Sequence, residues 1–406
     1  MLSIRQALEL MLPEFPVLAA EPAPLLQASG RVLAQELAVR IEQPEFEHSA
    51  MDGYAVRAAE VRAGVPVHVS GEVRAGGTPQ PLAAGTAVRI FTGAPLPERA
   101  DTVIMQENAV RDGERVRFES VPEPGTHVRP RGADHALGSR LLSAGALRGP
   151  AEIGLLASQG MEHVSVHRRP RVAILPTGDE LRALDAPRRP FSIVDSNTYA
   201  LASAVALSGG TAIPLPIATD EPELIAQRVQ KGLEADVLLT VGGVSVGDYD
   251  FVGEALRAAG VAIQFHKVAI KPGKPLLFGK HGATPVIGLP GNPVSALVVF
   301  EIFVRPGLLR MQGFAAPYPQ PIEVVLAEPY AHRAGRAELV RAQVRTQAGT
   351  WIAHAHAKQG SASLASLTGQ SALVIVPRER GDVQAGEILQ AILTGLPMRP
   401  DPAFAD

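Results

Sequence analysis

Acidic and basic side chains recur in this chain at the ends of apolar runs, in turns marked by glycine or proline. The clearest case is 237–251, VLLTVGGVSVGDYDF, where Gly242 and Gly243 stop a buried-looking run and Asp248 and Asp250 follow. Gly242 and Gly247 have the glycine spacing of a phosphate-binding P-loop, but Asp248 and Tyr249 stand where that motif needs Lys and Ser or Thr, which argues against an ordinary P-loop NTPase. A carboxylate beside a phosphate is repulsive unless a divalent cation bridges them, which reads Asp248 and Asp250 as metal ligands near a phosphorylated substrate. The competing reading is that one of them caps the next helix. Lys267, Lys271 and Lys274 in HKVAIKPGKP lie on a segment stiffened by Pro272 and Pro275, as an anion clamp or as ordinary surface charge. The turn Pro290-Gly291-Asn292-Pro293 precedes a helix and offers free N–H groups to an oxyanion.

These motifs need a common frame, and 171–311 supplies one. Its strand patterns RVAILP, TAIPLPIA, DVLLTVGG, IQFHKVAI and PVIGLPGNP alternate with helical patterns such as NTYALASAVALSGG and PELIAQRVQKGLEA. That order predicts a doubly wound, mostly parallel α/β sheet. PTGDE at 176–180, ATD at 218–220, GGVSVGDYD at 242–250 and PGNPVS at 290–295 then fall at strand ends, on the ligand edge of the sheet. Glu180, Asp220, Asp248 and Asp250 are expected to converge there.

Elsewhere the patterns are different. Ser3 and Gln6 form a capping box before a helix that Pro13 ends, and 33–39 reads as a second amphipathic segment. Residues 41–56, IEQPEFEHSAMDGYAV, are too broken for helix or strand and read as an ordered loop, functional or simply a turn at a domain boundary. From 65 to 118 short strands alternate with Gly, Pro and Asp turns, a small β domain in which Thr92 stands on a turn after a strand. Arg129 to Gly138, with Asp134, reads as a solvated loop, and 147–160 returns to helical periodicity. The expected domains are an elongated linking domain from 1–50 and 139–170, a β insertion at 51–138, the α/β domain at 171–315 and a C-terminal β domain at 316–406. His354 and His356 share a strand face without a third ligand in reach, which argues against a metal role.

Composition narrows the function classes. A length of 406 residues calls for several domains, and 46% hydrophobic against 19% charged residues suits ordinary globular packing. The net charge of −3 gives no reason to expect nucleic acid as a partner. The absence of cysteine excludes disulfides, thiolate metal sites and a cysteine nucleophile. No apolar run is long enough to span a bilayer and no signal core opens the chain, so no membrane partner and a cytoplasmic location are expected.

Taken together and in order, PEFEHSAMDGYAV, RIFTGAPLP with ADTVIMQE, RGAD, RRPRVAILPTGDEL, GGVSVGDYDF, KPGKP and LPGNPVSA resemble the molybdopterin molybdenumtransferase family, the bacterial counterparts of the C-terminal domain of gephyrin. The resemblance spans nearly the whole chain. It implies an enzyme that takes adenylylated molybdopterin and molybdate, releases AMP with the help of Mg2+ or another divalent cation, and leaves molybdenum on the dithiolene sulfurs. By motif position it implies Asp52, Thr92, Asp134, Glu180, Asp248, Lys271 and Lys274 as catalytic, and Glu180, Asp220 and Asp248 as metal ligands. Gly242, Gly243, Ser245, Gly247, Asp250, Lys267, Pro290, Gly291, Asn292, Pro293 and Ser295 follow as substrate-binding. A homodimer is also implied, in which the β insertion of one subunit closes the cleft of the other, with the adenylyltransferase and acceptor molybdoenzymes as further partners. In the C-terminal domain Ala362 stands where a glycine is usual and Ser371 where an asparagine is usual, so the resemblance does not carry Ser361 and Ser363 into the site. Two other classes stay in view. An adenylyltransferase would need only 171–311, and a gephyrin-like scaffold would not need the set of acids and lysines.

Overall fold

The computed structural model describes residues 1–146, 149–243 and 251–395. The chain divides into two units, Met1–Ala34 with Gly145–Pro150 and His163–Asp406, and Gln35–Ala144 with Ala151–Glu162.

At the centre of the first unit is a six-stranded sheet. Thr211–Pro214, Arg171–Pro176, Val237–Val241 and Thr284–Leu289 lie side by side in that order and parallel, followed by Pro275–His281 and Ala262–Lys267, each antiparallel to its neighbour. Successive residues of one strand serve different cores. Val172 and Ile174 pack with Leu201, Val205 and Val294 on one face, whereas Ala173 and Leu175 pack with Ile225, Val229 and Leu256 on the other. That is why these strands read as unbroken apolar runs without polar alternation. Helices Asn197–Leu207 and Pro293–Val299 contribute to the first core, Pro222–Gly232 and Phe251–Ala258 to the second. From Arg171–Pro176 the chain steps outward to Thr211–Pro214 and then returns to Val237–Val241 on the opposite side. The strand order therefore reverses between Arg171–Pro176 and Val237–Val241, where open α/β sheets form their ligand crevice.

The expected doubly wound, mostly parallel sheet is present, with one addition. Pro275–His281 forms a hairpin with Thr284–Leu289, a strand that the lysine and proline signals of KPGKP hid. The helix Ile4–Met11 carries the expected capping box, with Gln6 N donating to Ser3 Oγ at 3.1 Å and Ser3 N donating to Gln6 Oε1 at 2.9 Å. Ala7 and Met11 of this helix enter the first core.

Beyond the α/β part, Ala337–Gln347, Thr350–Ala355, Ile322–Leu326, Ile388–Leu393 and Ala372–Val376 pair in sequence, and the last pairs back with the first. A sheet closed in this way has no free edge. Its interior is aliphatic, built from Val324, Leu326, Val340, Val344, Val374 and their neighbours.

In the second unit the strand order is Thr102–Met105, Gly53–Val56, Thr86–Ile90, Val67–Val73, Arg115–Phe118, Ala109–Asp112. Two expectations change here. The loop read over 41–56 ends at Asp52, and Gly53–Val56 is a wholly buried strand. Gly53 is required by close approach, because a Cβ there would fall 2.0 Å from the Ile104 carbonyl oxygen. The segment 33–39 is extended rather than helical, with Leu37–Ala38 paired to Arg140–Leu142. Its apolar residues follow the needs of that pairing, which outweigh an apparent helical period. Among the described residues no helix is long and apolar enough to cross a membrane.

Candidate functional site

In the first unit two adjoining clefts, of about 720 and 600 Å3, open at the carboxyl ends of the parallel strands. They share Thr177, Glu180, Gly242, Gly291 and Asn292, so they are continuous along the point of strand reversal. Thr177 and Glu180 follow Arg171–Pro176, Gly242 and Gly243 follow Val237–Val241, and Gly291 and Asn292 follow Thr284–Leu289. Asp220 lines the larger cleft from the loop after Thr211–Pro214, and its N–H donates to Asp179 Oδ1 at 3.0 Å.

The glycine pair is needed for backbone shape and for space. Gly242 has φ of +92° and a Cβ there would sit 2.6 Å from Thr177 O, while at Gly243, with φ of +61°, it would meet Val252 Cγ2 at 2.4 Å. Neither place accepts an L side chain without movement. Val244 to Asp250 lie outside the described residues, so the expectations for Ser245, Gly247, Asp248 and Asp250 fall there.

Lys271 and Lys274 line the same larger cleft together with Pro272 and Gly273. Lys271 Nζ also pairs with Glu338 Oε1 at 2.9 Å. Lys267 ends Ala262–Lys267 and is not one of the described residues that line the cleft. The turn Pro290 to Pro293 contributes throughout: Pro290 and Ser295 line the larger cleft and Pro293 the smaller, while Gly291 O accepts from Asn197 Nδ2 at 2.8 Å.

Sequence reasoning did not single out several lining residues. Arg336, Gln359 and Gly360 reach the larger cleft from the barrel, and Asp195, Ser196 and Asn197 border the smaller one. An Asp-Ser-Asn run before a helix is a recognisable start signal, and Asp195 Oδ1 does accept from Thr198 N at 3.1 Å. Ser361 lines the larger cleft and its Oγ accepts from Asn292 Nδ2 at 3.0 Å. Ser363 instead precedes the short helical turn Leu364–Leu367. Arg341 explains the shape of this wall. Fully buried, it donates through Nη2 to the carbonyls of Lys358 and Gly360, and Gln359 returns a hydrogen bond to Arg341 O at 2.9 Å.

The second unit holds the other acids. Asp52 Oδ1 accepts from both the backbone N–H and the hydroxyl of Thr92, each at 2.8 Å. The backbone N–H foremost, then the hydroxyl, hold the Asp52 carboxyl below its usual range despite some desolvation, and Arg89 adds a smaller pull. Arg89 itself lies over the Tyr54 and Phe91 rings and donates to Gly53 O at 3.0 Å. Asp134 receives both of its carboxylate hydrogen bonds from Arg129, at 2.8 and 2.7 Å. The pairing of Val128–Arg129 with His48–Ser49 ties this arginine to the loop that precedes Asp52. Asp52, Thr92 and Asp134 thus belong to one unit, and the described acids and lysines of the cleft belong to the other.

A crevice lined by acids and lysines at the reversal of a doubly wound sheet, with a closed β barrel and a separate β unit in the same chain, is the architecture of a multidomain α/β plus β protein with a cleft at the ligand edge of its sheet. The chain belongs to the molybdopterin molybdenumtransferase family: it matches the MoeA N-terminal region (domain I and II) over 2–160, the probable molybdopterin binding domain over 173–310 and the MoeA C-terminal region (domain IV) over 323–394. A molybdopterin molybdenumtransferase from Nostoc is 37% identical over 89% of this chain and 86% of its own length. One from Haemophilus influenzae is 35% identical over 95% of this chain and 97% of its own. The crystal structure of a molybdopterin biosynthesis moeA protein from Pyrococcus horikoshii superposes with a TM-score of 0.82 at 29% identity, covering 97% of this chain and 100% of that one.

Proposed function

We propose that this protein is a molybdenum-inserting transferase of molybdenum cofactor biosynthesis: it binds adenylylated molybdopterin and molybdate, releases AMP and leaves molybdenum on the dithiolene. The observation that carries this reading is the placement of Glu180 and Asp220 with Lys271 and Lys274 in one cleft at the strand reversal. The relatives are named for this activity. An adenylyltransferase limited to the central domain would leave the matches over 2–160 and 323–394 without a role. A scaffold would have no use for the cleft.

The lysines supply positive charge for phosphate and molybdate oxygens, and the Pro290 to Pro293 turn orients the same anions. The described donors suit a hard divalent cation: Glu180 and Asp220 are carboxylates and the cleft has no cysteine or histidine. Glu180 and Asp220, with Asp248, would hold it, and it would neutralise charge on the phosphate that leaves as AMP.

We further propose a homodimer, in which Asp52, Thr92 and Asp134 of one subunit serve the cleft of the other. The reaction is taken to be cytoplasmic, with substrate received from an adenylyltransferase and product passed to molybdoenzymes. The test is AMP release from adenylylated molybdopterin by the purified protein, with and without molybdate and after chelation. Release that requires molybdate and returns on adding Mg2+ supports the reading. Release indifferent to molybdate would overturn it.

A further inference from the structure

Behind the lysine loop the barrel wall buries a carboxylate that no motif singles out. Glu338 is 1% exposed and stands in register with Lys271, where Ile270–Lys271 pairs in parallel with Ala337–Gln347. Its Oε1 forms an ion pair with Lys271 Nζ at 2.9 Å and accepts a hydrogen bond from the Tyr330 hydroxyl at 2.7 Å, and His332 Nε2 lies 3.8 Å from its Oε2. Arg341, also fully buried, adds its charge to the same neighbourhood. Burial first, then the hydrogen bond and charge of Glu338, hold the Tyr330 phenol far above its usual range, so it remains a donor.

We propose that Glu338 is the positioning residue for Lys271: from inside the barrel it fixes the ammonium at the wall of the cleft, so that an arriving oxoanion meets a donor already in place. The proposal rests on reading Lys271 as an anion ligand. A lysine ammonium has three N–H donors, so its ion pair with Glu338 still leaves donors for the anion. A free lysine would lose the freedom of a long side chain when the anion binds, whereas one already held by Glu338 has lost it on folding. Tyr330 fills a further lone pair of the same carboxylate oxygen and keeps the carboxylate from turning away from Lys271. The strand pairing has a consequence of its own: the anion site in the α/β part is completed by a residue of the barrel.

The alternative is that Glu338 only offsets the buried charge of Arg341. The two roles separate in a double-mutant cycle read by the molybdate KM of AMP release, with kcat and urea midpoints measured alongside. Glu338→Gln keeps the size and an acceptor oxygen but removes the charge that holds the ammonium. It is expected to raise the molybdate KM about two- to tenfold, the effect of one long side chain left to be immobilised by the ligand, with kcat changed less. In a Lys271→Ala background the same substitution should change the KM no further. A raised KM in Lys271→Ala with an unchanged KM in Glu338→Gln, or effects that multiply in the double variant, would overturn the positioning role. An unchanged KM in Lys271→Ala itself would instead remove the anion role of Lys271, and the proposal with it.

Discussion

Lys271 and Lys274 differ in what stands behind them, and the difference separates two substitutions that look alike in sequence. Each lysine in the cleft is worth roughly 1.5 to 3 kcal/mol toward an anion, so either change to alanine should raise the molybdate requirement about tenfold or more. Lys274 is exposed, and Lys274→Ala should leave the melting temperature unchanged. Lys271→Ala deprives Glu338, 2% exposed in its side chain, of its cation, and should also destabilise the protein by about 1 to 3 kcal/mol, measurable by urea unfolding. A second expectation concerns Asp52. Thr92→Val removes the hydroxyl donor but keeps the backbone one, so the Asp52 pKa should rise part of the way to an ordinary carboxylate value in a carbon-detected NMR titration. The charged members of the cleft were legible because acids and lysines in glycine- and proline-marked turns are unusual company. Arg336, Gln359 and Glu338 were not, because nothing local separates a barrel residue that faces a ligand from one that faces solvent or the core. That distinction appears only once Lys271 is paired with Glu338 across strands.

Buried strands that stand clear of strong turn signals were easy to read, and buried strands beside such turns were not. Val237–Val241 declares itself as an apolar run ended by glycines, and its whole length is buried. Gly53–Val56 and Pro275–His281 were missed because each adjoins a turn with strong polar or proline signals, and the turn masked the strand beside it. The glycine pair after Val237–Val241 gives a direct check: Gly242→Ala should cost about 1 to 3 kcal/mol of stability through backbone strain and the approach to Thr177 O, visible as a lower denaturation midpoint. The start of the same strand is anchored electrostatically. Asp236 accepts from Arg168 at 2.5 and 2.6 Å and from Arg171 N at 2.8 Å. Burial pushes its carboxyl up, but these partners outweigh burial and hold it below its ordinary value. A carboxyl with a lowered folded pKa contributes stability above its unfolded pKa of about 3.9, and loses it as pH falls through the folded value. Arg168→Ala should therefore destabilise the protein at neutral pH, by an amount that shrinks as the pH is lowered below about 4. A difference that stayed constant with pH would mean that the arginine acts through packing.

For the molecule as a whole, the proposal that Asp52 and Asp134 act in the cleft of a second subunit calls for a homodimer. Sedimentation equilibrium at micromolar concentration should report a dimer. Mixing an Asp52→Ala subunit with an Asp220→Ala subunit should restore one working site per heterodimer, whereas a fully active monomer would contradict the shared site. The family and the fold were legible in sequence because the motifs run in order through the whole chain. The chain passes between its two units at Ala34/Gln35 and at Glu162/His163, and the first unit is joined across that long separation by the pairing of Ala20–Pro24 with His163–His167, which no local signal shows. If this cleft couples AMP release from the phosphate to molybdenum insertion at the dithiolene of one substrate, both products of a single turnover should be countable together. With adenylylated molybdopterin and excess molybdate, wild-type protein should yield one molybdenum bound to the pterin dithiolene for each AMP released, and Glu180→Gln should lose both in parallel. AMP released without molybdenum appearing on the pterin would rule out the coupling.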